Sequence, residues 1–395
     1  MKFESQVVHA GDRKRACGHI PSTVPIHLGT TFFYNSAEKL DRVMGNEEEG
    51  FSYSRYGNPT NQALEELAQA MESGAGALAT SSGMAAIQIA VQAALLDRPH
   101  SIVASNALYG ATIKMFDQVF APFDVDVTYT DICDLAALEK SVTTNKPGVV
   151  FVESISNPLV RVGRLDKIAG IARAAGAALI VDNTFATPMM VRPLELGASM
   201  VIHSATKYLA GHGDVLGGLV ISDEEHLEVV RALSRTIGPV LGPFDSYLTM
   251  RGIKTFALRF ERQCQNAAEI ARWLQRHARI DRVYHCADPD HPDAEAIRTL
   301  FTPGLYSGIV SFEIKDAGKA DVLAFMDRLQ MVVPGTSLGD VHSLLLYPVM
   351  ASHRDISPKT RERMGIKENL VRLAVGIESV DDIIEDLDRA LVAVS

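Results

Sequence analysis

The sequence has few of the features that mark metal-binding, secreted or membrane proteins. Its four cysteines, Cys17, Cys133, Cys264 and Cys286, are too widely spaced for a metal site or a disulfide framework. No stretch approaches 18 consecutive apolar residues, and the first residues contain no apolar signal core. We therefore expect a reduced, cytoplasmic protein that does not enter a membrane.

Positive charge is also scarce. The 395 residues include 38 Lys and Arg against 48 Asp and Glu, which gives a formal net charge of -10. Nucleic-acid binding requires a basic surface, so this balance argues against that role. The hydrophobic content of 47% and the charged fraction of 22% are those of an ordinary globular protein, and the length suits two domains.

Apolar strands alternate with helix-length segments, and this alternation predicts an α/β fold. The predicted strands have apolar residues on both faces, as in a mostly parallel sheet covered by helices on both sides. We divide the chain into an extended N-terminal arm (1–60), a large domain (61–250) and a smaller C-terminal α/β domain (251–395). A long helix over 244–277, interrupted near Gly252, is predicted at the junction of the two domains.

Reactive side chains stand where predicted strands end, which is the usual place for a ligand in such sheets. They are Glu153 and Asn157, then Asp182, and then Ser204, Thr206 and Lys207. Lys207 has no acidic residue within six positions on either side. Asp182 precedes it by about one strand–helix–strand unit, so the two residues belong to neighbouring or near-neighbouring strands. A partly desolvated lysine can lose its proton near neutral pH and attack a carbonyl group.

A second group of residues is suited to binding phosphate. Ser82 and Gly83 form a strand-to-helix turn, and the predicted helix then begins at Met84. The free N–H groups of such a first turn, aided by the helix dipole, bind anions. Pyridoxal 5'-phosphate offers an aldehyde for the lysine, a phosphate for this turn and a ring nitrogen for Asp182. We therefore predict this cofactor.

Six motifs distributed along the chain resemble those of one enzyme family. They are "YSRYGNPT", "ATSSGMAA", "ALYGAT", "VDNTFATP", "SATKYLAGHGDVLGG" and "VRLAVGIES". In this order they resemble the Cys/Met-metabolism group of pyridoxal-phosphate enzymes, which includes methionine γ-lyase, cystathionine γ-lyase, cystathionine γ-synthase and the homoserine-ester sulfhydrylases. The resemblance implies a fold-type-I, aminotransferase-like architecture and a homotetramer built as a dimer of dimers.

The resemblance also implies how the cofactor is held. Lys207 matches the Schiff-base lysine that also removes the substrate proton, and Asp182 matches the partner of the ring nitrogen. Tyr109 matches the tyrosine that stacks on the ring and acts as an acid–base group. The implied phosphate contacts are Gly83, Met84, Ser204 and Thr206, together with Tyr53 and Arg55, which reach the phosphate of the neighbouring subunit.

The implied substrate contacts favour a sulfur amino acid. Asn157 matches an asparagine beside the ring hydroxyl and the substrate, and Ser337 and Arg372 match residues that hold the substrate carboxylate. Members that act on cystathionine often carry a glutamate just before this serine, where the chain has Thr336. The resemblance thus implies γ-elimination from methionine or cystathionine, with 2-oxobutanoate, ammonia and a thiol as products.

Other functions are weighed against this one. γ-Replacement, as in a synthase or sulfhydrylase, stays open because Ala111 and the segment 344–358 around His353 depart from the common subfamilies. A pyridoxal-phosphate-binding regulator is disfavoured because the catalytic set is complete. A nicotinamide-dependent oxidoreductase needs G-x-G-x-x-G directly after the first strand, and that motif is missing. No metal site is predicted, since neither His203 nor His212 has a second ligand at useful spacing.

Overall fold

The structure is a computed structural model that describes residues 1–11, 20–351, 354 and 358–392. Cys17 and His353, both named in the sequence analysis, lie outside the described residues. In the described part of the chain, the strands form two β-sheets, and helices cover both of them.

Within the described residues, the larger sheet has seven strands and is mostly parallel, as predicted. Its strands are β1 (Gly76–Thr80), β2 (Ser101–Ser105), β3 (Asp126–Thr130), β4 (Val149–Glu153), β5 (Ala178–Asp182), β6 (Met200–Ser204) and β7 (Gly218–Ser222). Their order across the sheet is β1-β7-β6-β5-β4-β2-β3, and β7 runs antiparallel to both β1 and β6. Strands β5 and β6 are parallel partners, so Asp182 and Lys207 leave the sheet from neighbouring strands.

The smaller sheet, in the part of the chain that the structure describes, has five strands. They are β8 (Ile280–Tyr284), β9 (Ile309–Ile314), β10 (Val333–Pro334), β11 (Leu344–Leu346) and β12 (Leu370–Ala374), in the order β10-β11-β12-β9-β8. The segments around β9, β10 and β12 were predicted as strands, whereas β8 and β11 were not. Strand β12 lies between β9 and β11, and it therefore holds Arg372 in the interior of this sheet.

Helices connect the strands and cover the sheets. The described α-helices are α1 (Phe3–His9), α2 (Ala37–Met44), α3 (Pro59–Glu72), α4 (Gly83–Leu95), α5 (Gly110–Met115), α6 (Leu135–Asn145), α7 (Leu165–Ala174), α8 (Thr187–Met190), α9 (Glu224–Ile237), α10 (Pro243–Ile253), α11 (Phe256–Leu274), α12 (Ala294–Leu300), α13 (Lys319–Arg328), α14 (Pro358–Arg363) and α15 (Val380–Val392). None of the described helices is long and apolar enough to cross a membrane.

Burial on both faces explains why the strands of the larger sheet are so apolar. Along β5, Ile180 belongs to one hydrophobic core, whereas Leu179 and Val181 belong to the other. Helix α4 contributes to the first core and helix α3 to the second. The hydroxyl of Ser82 accepts a hydrogen bond from the N–H of Ala85 (3.1 Å), which fixes the point where α4 begins.

The predicted long helix over 244–277 is two helices, α10 and α11, which are separated at residues 254–255. Gly252 lies in the last turn of α10, and a Cβ added there would lie 2.1 Å from the carbonyl oxygen of Ala210. The close approach of two backbones therefore explains the glycine, and the interruption follows two residues later. The predicted boundary between residues 250 and 251 falls inside α10.

The N-terminal arm is not extended throughout, which corrects the prediction for residues 1–60. Helix α1 buries Val7 in the core that α3 also lines, and α2 begins after Ser36, whose hydroxyl accepts the N–H of Lys39. The two helices have only seven and eight residues. Such short helices depend on tertiary packing and capping, and a periodicity of two turns is too brief to distinguish from loop sequence.

Candidate active site

A cavity of about 220 Å³ lies at the carboxyl ends of β4, β5 and β6, where the sequence predicts the ligand site. Residues just after β10 and a side chain from β12 close it from the side of the smaller sheet. The predicted site residues that line it are Gly83, Met84, Tyr109, Asn157, Asp182, Ser204, Thr206, Lys207, Thr336 and Arg372. The fold thus brings together residues from six separate strand ends or loops and from strand β12, and both sheets contribute.

Lys207 stands in the turn that follows β6. Its backbone N–H donates to the carbonyl oxygen of Ser204 (3.1 Å), and its Nζ donates to the hydroxyl oxygen of Ser337 (2.9 Å). Burial lowers the pKa of Lys207 to about 8, and the nearby guanidinium of Arg372 adds to this shift. The amine therefore loses its proton more easily than an exposed lysine, and the unprotonated amine is the form that attacks an aldehyde.

Two carboxyl groups end neighbouring strands at the same edge of the sheet. Glu153 and Asp182 are direct partners in the register of β4 and β5. Burial raises the pKa of Asp182, and the hydroxyl and N–H of Thr184 oppose that rise. Burial raises the pKa of Glu153 well above its ordinary value, and the charge of Asp182 adds to the rise. The proton is therefore retained more readily on Glu153, which leaves Asp182 as the anion available to a cationic ring nitrogen.

The first turn of α4 presents backbone N–H groups at the cavity. Gly83 and Met84 are its first two residues, and first-turn N–H groups have no acceptor within their own helix. A Cβ added to Gly83 would lie 2.9 Å from the Cβ of Ser204, so glycine permits the helix start to approach β6 this closely. Ser204 lines the same cavity. This wall can donate hydrogen bonds to a phosphate group.

Arg372 is a buried cation with an incomplete set of partners. Arg372 is 2% exposed. Its Nη1 donates to Oδ1 of Asn157 (3.0 Å), and its Nη2 donates to the carbonyl oxygen of Ser337 (3.1 Å). Its Nε has no hydrogen-bond partner among the described residues. Burial lowers the pKa of this guanidinium to about 10. A buried guanidinium with an unused donor beside a cavity is well suited to receive a carboxylate.

Three other predicted residues line the cavity in different ways. Tyr109 is 43% exposed, and its backbone N–H donates to Oε1 of Glu153 (2.6 Å). The hydroxyl of Thr206 accepts the N–H of Gly217 (3.0 Å) and donates to its carbonyl oxygen (3.3 Å), so it is already engaged within the chain. Thr336 follows β10 and carries no charge to the cavity. Thr206 would therefore have to share its hydroxyl to contact a phosphate.

Tyr53 and Arg55 lie away from this cavity. Tyr53 is 43% exposed, and the guanidinium of Arg55 lies 5.6 Å from its ring centre and 4.6 Å from that of Tyr56. The Nη1 of Arg55 donates to the carbonyl oxygen of Arg235. Within one chain these two residues do not join the other predicted site residues. Their predicted role in a neighbouring subunit stays a prediction.

Several cavity residues were not identified from the sequence. They are Ile87, Ile155, Thr184, Phe185, Leu216 and Leu338. The ring centre of Phe185 lies 5.9 Å from the guanidinium carbon of Arg372, a contact that only the folded structure reveals. Glu153 also lines the cavity, and the sequence analysis placed it at a strand end without giving it a role. Its position beside the strand of Asp182 is the signal that could have identified it.

The residues present fit pyridoxal 5'-phosphate. A lysine of lowered pKa matches the aldehyde, a buried carboxyl at Asp182 matches the ring nitrogen, and the glycine-led start of α4 matches the phosphate. No group of three or more His, Cys, Asp or Glu residues that could hold a metal ion occurs in the described ranges. The fold and the site together define a pyridoxal-phosphate enzyme of fold type I.

Comparison with known proteins identifies the family. The chain belongs to the Cys/Met metabolism PLP-dependent enzyme family, which matches residues 4–392. L-methionine gamma-lyase of Fusobacterium nucleatum subsp. polymorphum is 38% identical over 390 residues, covering 97% of this chain and 96% of that protein. O-succinylhomoserine sulfhydrylase of Pseudomonas aeruginosa is 38% identical over 391 residues, covering 99% and 95%. The crystal structure of cystathionine gamma-lyase from Lactobacillus plantarum complexed with L-serine has a TM-score of 0.92 at 35% identity, covering 100% and 99%.

These comparisons confirm the predicted family, fold class and cofactor. The chain is a pyridoxal-phosphate-dependent enzyme of the carbon–sulfur lyase or γ-replacement type. Relatives with an elimination name and with a replacement name match it at the same 38% identity. The choice between the two reactions therefore depends on the residues that line its own cavity.

Proposed function

We propose that the enzyme catalyses γ-elimination on a sulfur amino acid, as a methionine or cystathionine γ-lyase does. The reaction consumes water and yields 2-oxobutanoate, ammonia and a thiol. The observation that carries the proposal is the pairing of Lys207, whose pKa is about 8, with a buried Arg372 whose Nε has no partner among the described residues. One group supplies the base, and the other holds the amino-acid carboxylate next to it.

The cofactor supplies an electron-accepting ring that stabilises negative charge on the substrate carbons. We propose that Lys207 binds its aldehyde covalently and that Asp182 hydrogen-bonds the ring nitrogen. The N–H groups of Gly83 and Met84 and the hydroxyl of Ser204 donate to its phosphate. Thr206 shares its hydroxyl with that phosphate.

The substrate is held from the side of the smaller sheet. The guanidinium of Arg372 binds the substrate carboxylate, and its existing bonds to Asn157 and Ser337 fix its plane. Ser337 accepts a hydrogen bond from Nζ of Lys207, which keeps the amine next to the carboxylate-binding residue. The unprotonated Nζ of Lys207 would remove the proton from the substrate α-carbon, and a second proton would leave the β-carbon so that the bond between the γ-carbon and sulfur can break. Tyr109 then donates a proton to the departing thiolate.

The cavity favours a small thioether. Thr336 brings no carboxylate that could pair with the distal amino group of cystathionine, and the apolar side chains of Leu216 and Leu338 line the same space. An apolar wall suits the S-methyl group of methionine, since burying that group removes apolar surface from water. We therefore rank methionine ahead of cystathionine as the substrate.

γ-Replacement is the second candidate, and the similarity to a sulfhydrylase supports it. The purified enzyme is mixed in turn with methionine, cystathionine, homocysteine, and O-acyl-homoserines plus sulfide. Release of 2-oxobutanoate together with methanethiol from methionine supports the proposal. Homocysteine formed from an O-acyl-homoserine and sulfide, without 2-oxobutanoate from methionine, would assign replacement instead. A spectral change with no product from any of them would indicate a regulator.

The remaining proposals concern assembly and location. We propose that Tyr53 and Arg55 contact the cofactor phosphate of a neighbouring subunit in a homotetramer, because both are exposed and held together on the arm. Arg55→Ala should then lower cofactor affinity while the cavity of its own chain stays intact. Sedimentation of the holoenzyme as a monomer would contradict this assembly. A cytoplasmic location accords with the acidic, cysteine-poor composition.

A further inference from the structure

Glu153 has no role in the mechanism above, although it is 7% exposed and lines the cavity. It is the last residue of β4 and lies directly beside Asp182 in the register of the sheet. Burying a carboxyl group costs free energy unless hydrogen bonds compensate for the lost water. The groups that bond to Glu153 therefore indicate what the side chain does.

The first of these groups is the backbone of Tyr109. Its N–H donates to Oε1 of Glu153 at 2.6 Å, and its carbonyl oxygen accepts the N–H of Thr112 at 2.9 Å. Tyr109 precedes α5, and in the described structure no side chain caps that helix. The bond to Glu153 therefore fixes the main chain at the residue whose ring borders the cavity.

A second backbone N–H, that of Asn157, is near enough to lower the pKa of the same carboxyl. The side chain of Asn157 accepts a hydrogen bond from Arg372, which also donates to the backbone carbonyl of Ser337. The hydroxyl of Ser337 accepts a hydrogen bond from Nζ of Lys207. Glu153 is therefore hydrogen-bonded to the segment of Tyr109 and lies next to a series of hydrogen bonds that joins Asn157, Arg372, Ser337 and Lys207.

We propose that Glu153 is a positioning residue whose Oε1 holds the main chain of Tyr109 at the border of the cavity. It thereby sets the position of the Tyr109 ring relative to the bound substrate. The property required is the placement of an acceptor oxygen and not a negative charge. Burial and the charge of Asp182 both raise the pKa of the Glu153 carboxyl and favour its protonated form.

Two substitutions at Glu153 distinguish the loss of the acceptor oxygen from the presence of a side chain of similar size. Glu153→Gln keeps an oxygen acceptor at the same reach, whereas Glu153→Leu removes it. We expect Gln to keep kcat/KM within about threefold, and Leu to lower it about 10²-fold, the scale expected when a catalytic group moves by about 1 Å. In the Leu variant kcat should fall more than KM changes, because Tyr109 loses its support. Cofactor binding to the apoenzyme, titrated by absorbance, should weaken in the Leu variant alone.

A matched control is available at Glu65. Its Oε1 also accepts a backbone N–H, that of Ala79 (3.0 Å), burial raises its pKa to about 7, and it does not line the cavity. Glu65→Leu should leave kcat/KM per folded molecule within about twofold of wild type. Equal loss of kcat/KM in Glu65→Leu and Glu153→Leu would overturn the proposal and assign a purely structural role.

Two other results would also overturn it: wild-type behaviour of Glu153→Leu, or equal impairment of Glu153→Gln and Glu153→Leu. If the Leu variant does not fold, Glu153→Asp withdraws the acceptor by one methylene and carries the same expectations. The inference rests on the proposed role of Tyr109. Cofactor binding can be measured without turnover. An enzyme that lacks lyase activity can therefore still show whether Glu153→Leu weakens cofactor binding, so the two failures can be distinguished.

Discussion

Two buried arginines contact the segment around Lys207, and their hydrogen bonds differ. Arg259, 5% exposed, donates to the carbonyl oxygens of Tyr208 (3.0 Å) and Gly252 (2.8 Å), and its Nε donates to Thr255 (3.2 Å). Arg372, 2% exposed, leaves its Nε without a partner in the described residues. Burial lowers the pKa of both guanidinium groups to about 10.

The difference separates a structural cation from a binding one. Burial and pKa are the same in the two places, so neither distinguishes them. The two arginines differ in what their N–H groups contact. Arg259 donates to fixed carbonyl groups, whereas Arg372 keeps an N–H donor beside a cavity. Substitution should therefore affect stability at Arg259 and substrate binding at Arg372.

Removing Arg372 tests the binding half of this comparison and has the largest expected effect. Arg372→Leu removes a charge-assisted contact to the substrate carboxylate, and losing such a contact costs about 2–5 kcal/mol. We expect kcat/KM to fall by about 10²–10³-fold. Thermal stability should fall less than in Arg259→Leu, because Arg372 donates fewer hydrogen bonds, those to Asn157 and Ser337, and the variant also removes a buried charge. Steady-state kinetics and a thermal melt of the same preparation give both values. Unchanged kcat/KM would assign Arg372 a structural role.

Removing Arg259 tests the structural half. Arg259→Leu removes the guanidinium donor of the buried carbonyl oxygens of Tyr208 and Leu209, at about 1–3 kcal/mol for each oxygen left unsatisfied. We expect a clear fall in the midpoint of thermal unfolding and only a severalfold change in kcat/KM per folded molecule. Denaturant unfolding of the holoenzyme and active-site titration separate these quantities. A loss of kcat/KM as large as that of Arg372→Leu, with normal stability, would abolish the distinction.

The pKa of Lys207 offers a third, smaller test of the comparison. Burial and the charge of Arg372 lower it from 10.5 to about 8, so reactivity of the amine should rise with pH and reach half its maximum near pH 8. In Arg372→Leu the cation is gone, and the midpoint should move to higher pH. In Arg259→Leu it should stay in place, because that charge does not contribute to the shift of Lys207. Competitive acylation of the apoenzyme, read by mass spectrometry, measures each midpoint.

Thr336→Glu is expected to have the smallest effect. It tests which substrate is preferred by the cavity that Arg372 lines. A carboxylate at this position could pair with a distal amino group on the substrate. We expect the ratio of kcat/KM for cystathionine to that for methionine to rise severalfold, with Thr336→Gln as the uncharged control. The ratio is measured by 2-oxobutanoate release from each substrate. An equal rise in the Gln variant would show that charge is not the cause.

The larger sheet could be predicted from sequence because burial on both faces leaves a strong pattern. Residues such as Val103, Phe151 and Ile180 are apolar whichever face they occupy, so the interior strands appear as mostly apolar runs. Strand β8 gave no such run, since it lies at the edge of its sheet and Asp281 and Arg282 are exposed. Strand β11 is only three residues long. Strands β8 and β11 form because of the strands that they pair with, more than because of their own sequence.

The candidate site, too, has a part that the sequence predicts and a part that it does not. Asp182 and Lys207 stand at strand ends, so the sequence predicts that their strands are neighbours or near-neighbours, and β5 and β6 are paired directly. The unused Nε of Arg372, the occupied hydroxyl of Thr206 and the contacts of Glu153 depend on atoms brought from distant parts of the chain. Reactive residue types can be recognised in a sequence, whereas the state of their donors and acceptors is a property of the fold.

The most direct test of the account is the site of covalent cofactor attachment. The purified holoenzyme is reduced with borohydride, digested, and mapped by mass spectrometry, with Lys207→Ala treated in parallel. We predict a pyridoxyl group on the peptide that contains Lys207, and no stoichiometric adduct in the variant. A stoichiometric adduct on a different lysine, or equal labelling of Lys207→Ala, would contradict the account.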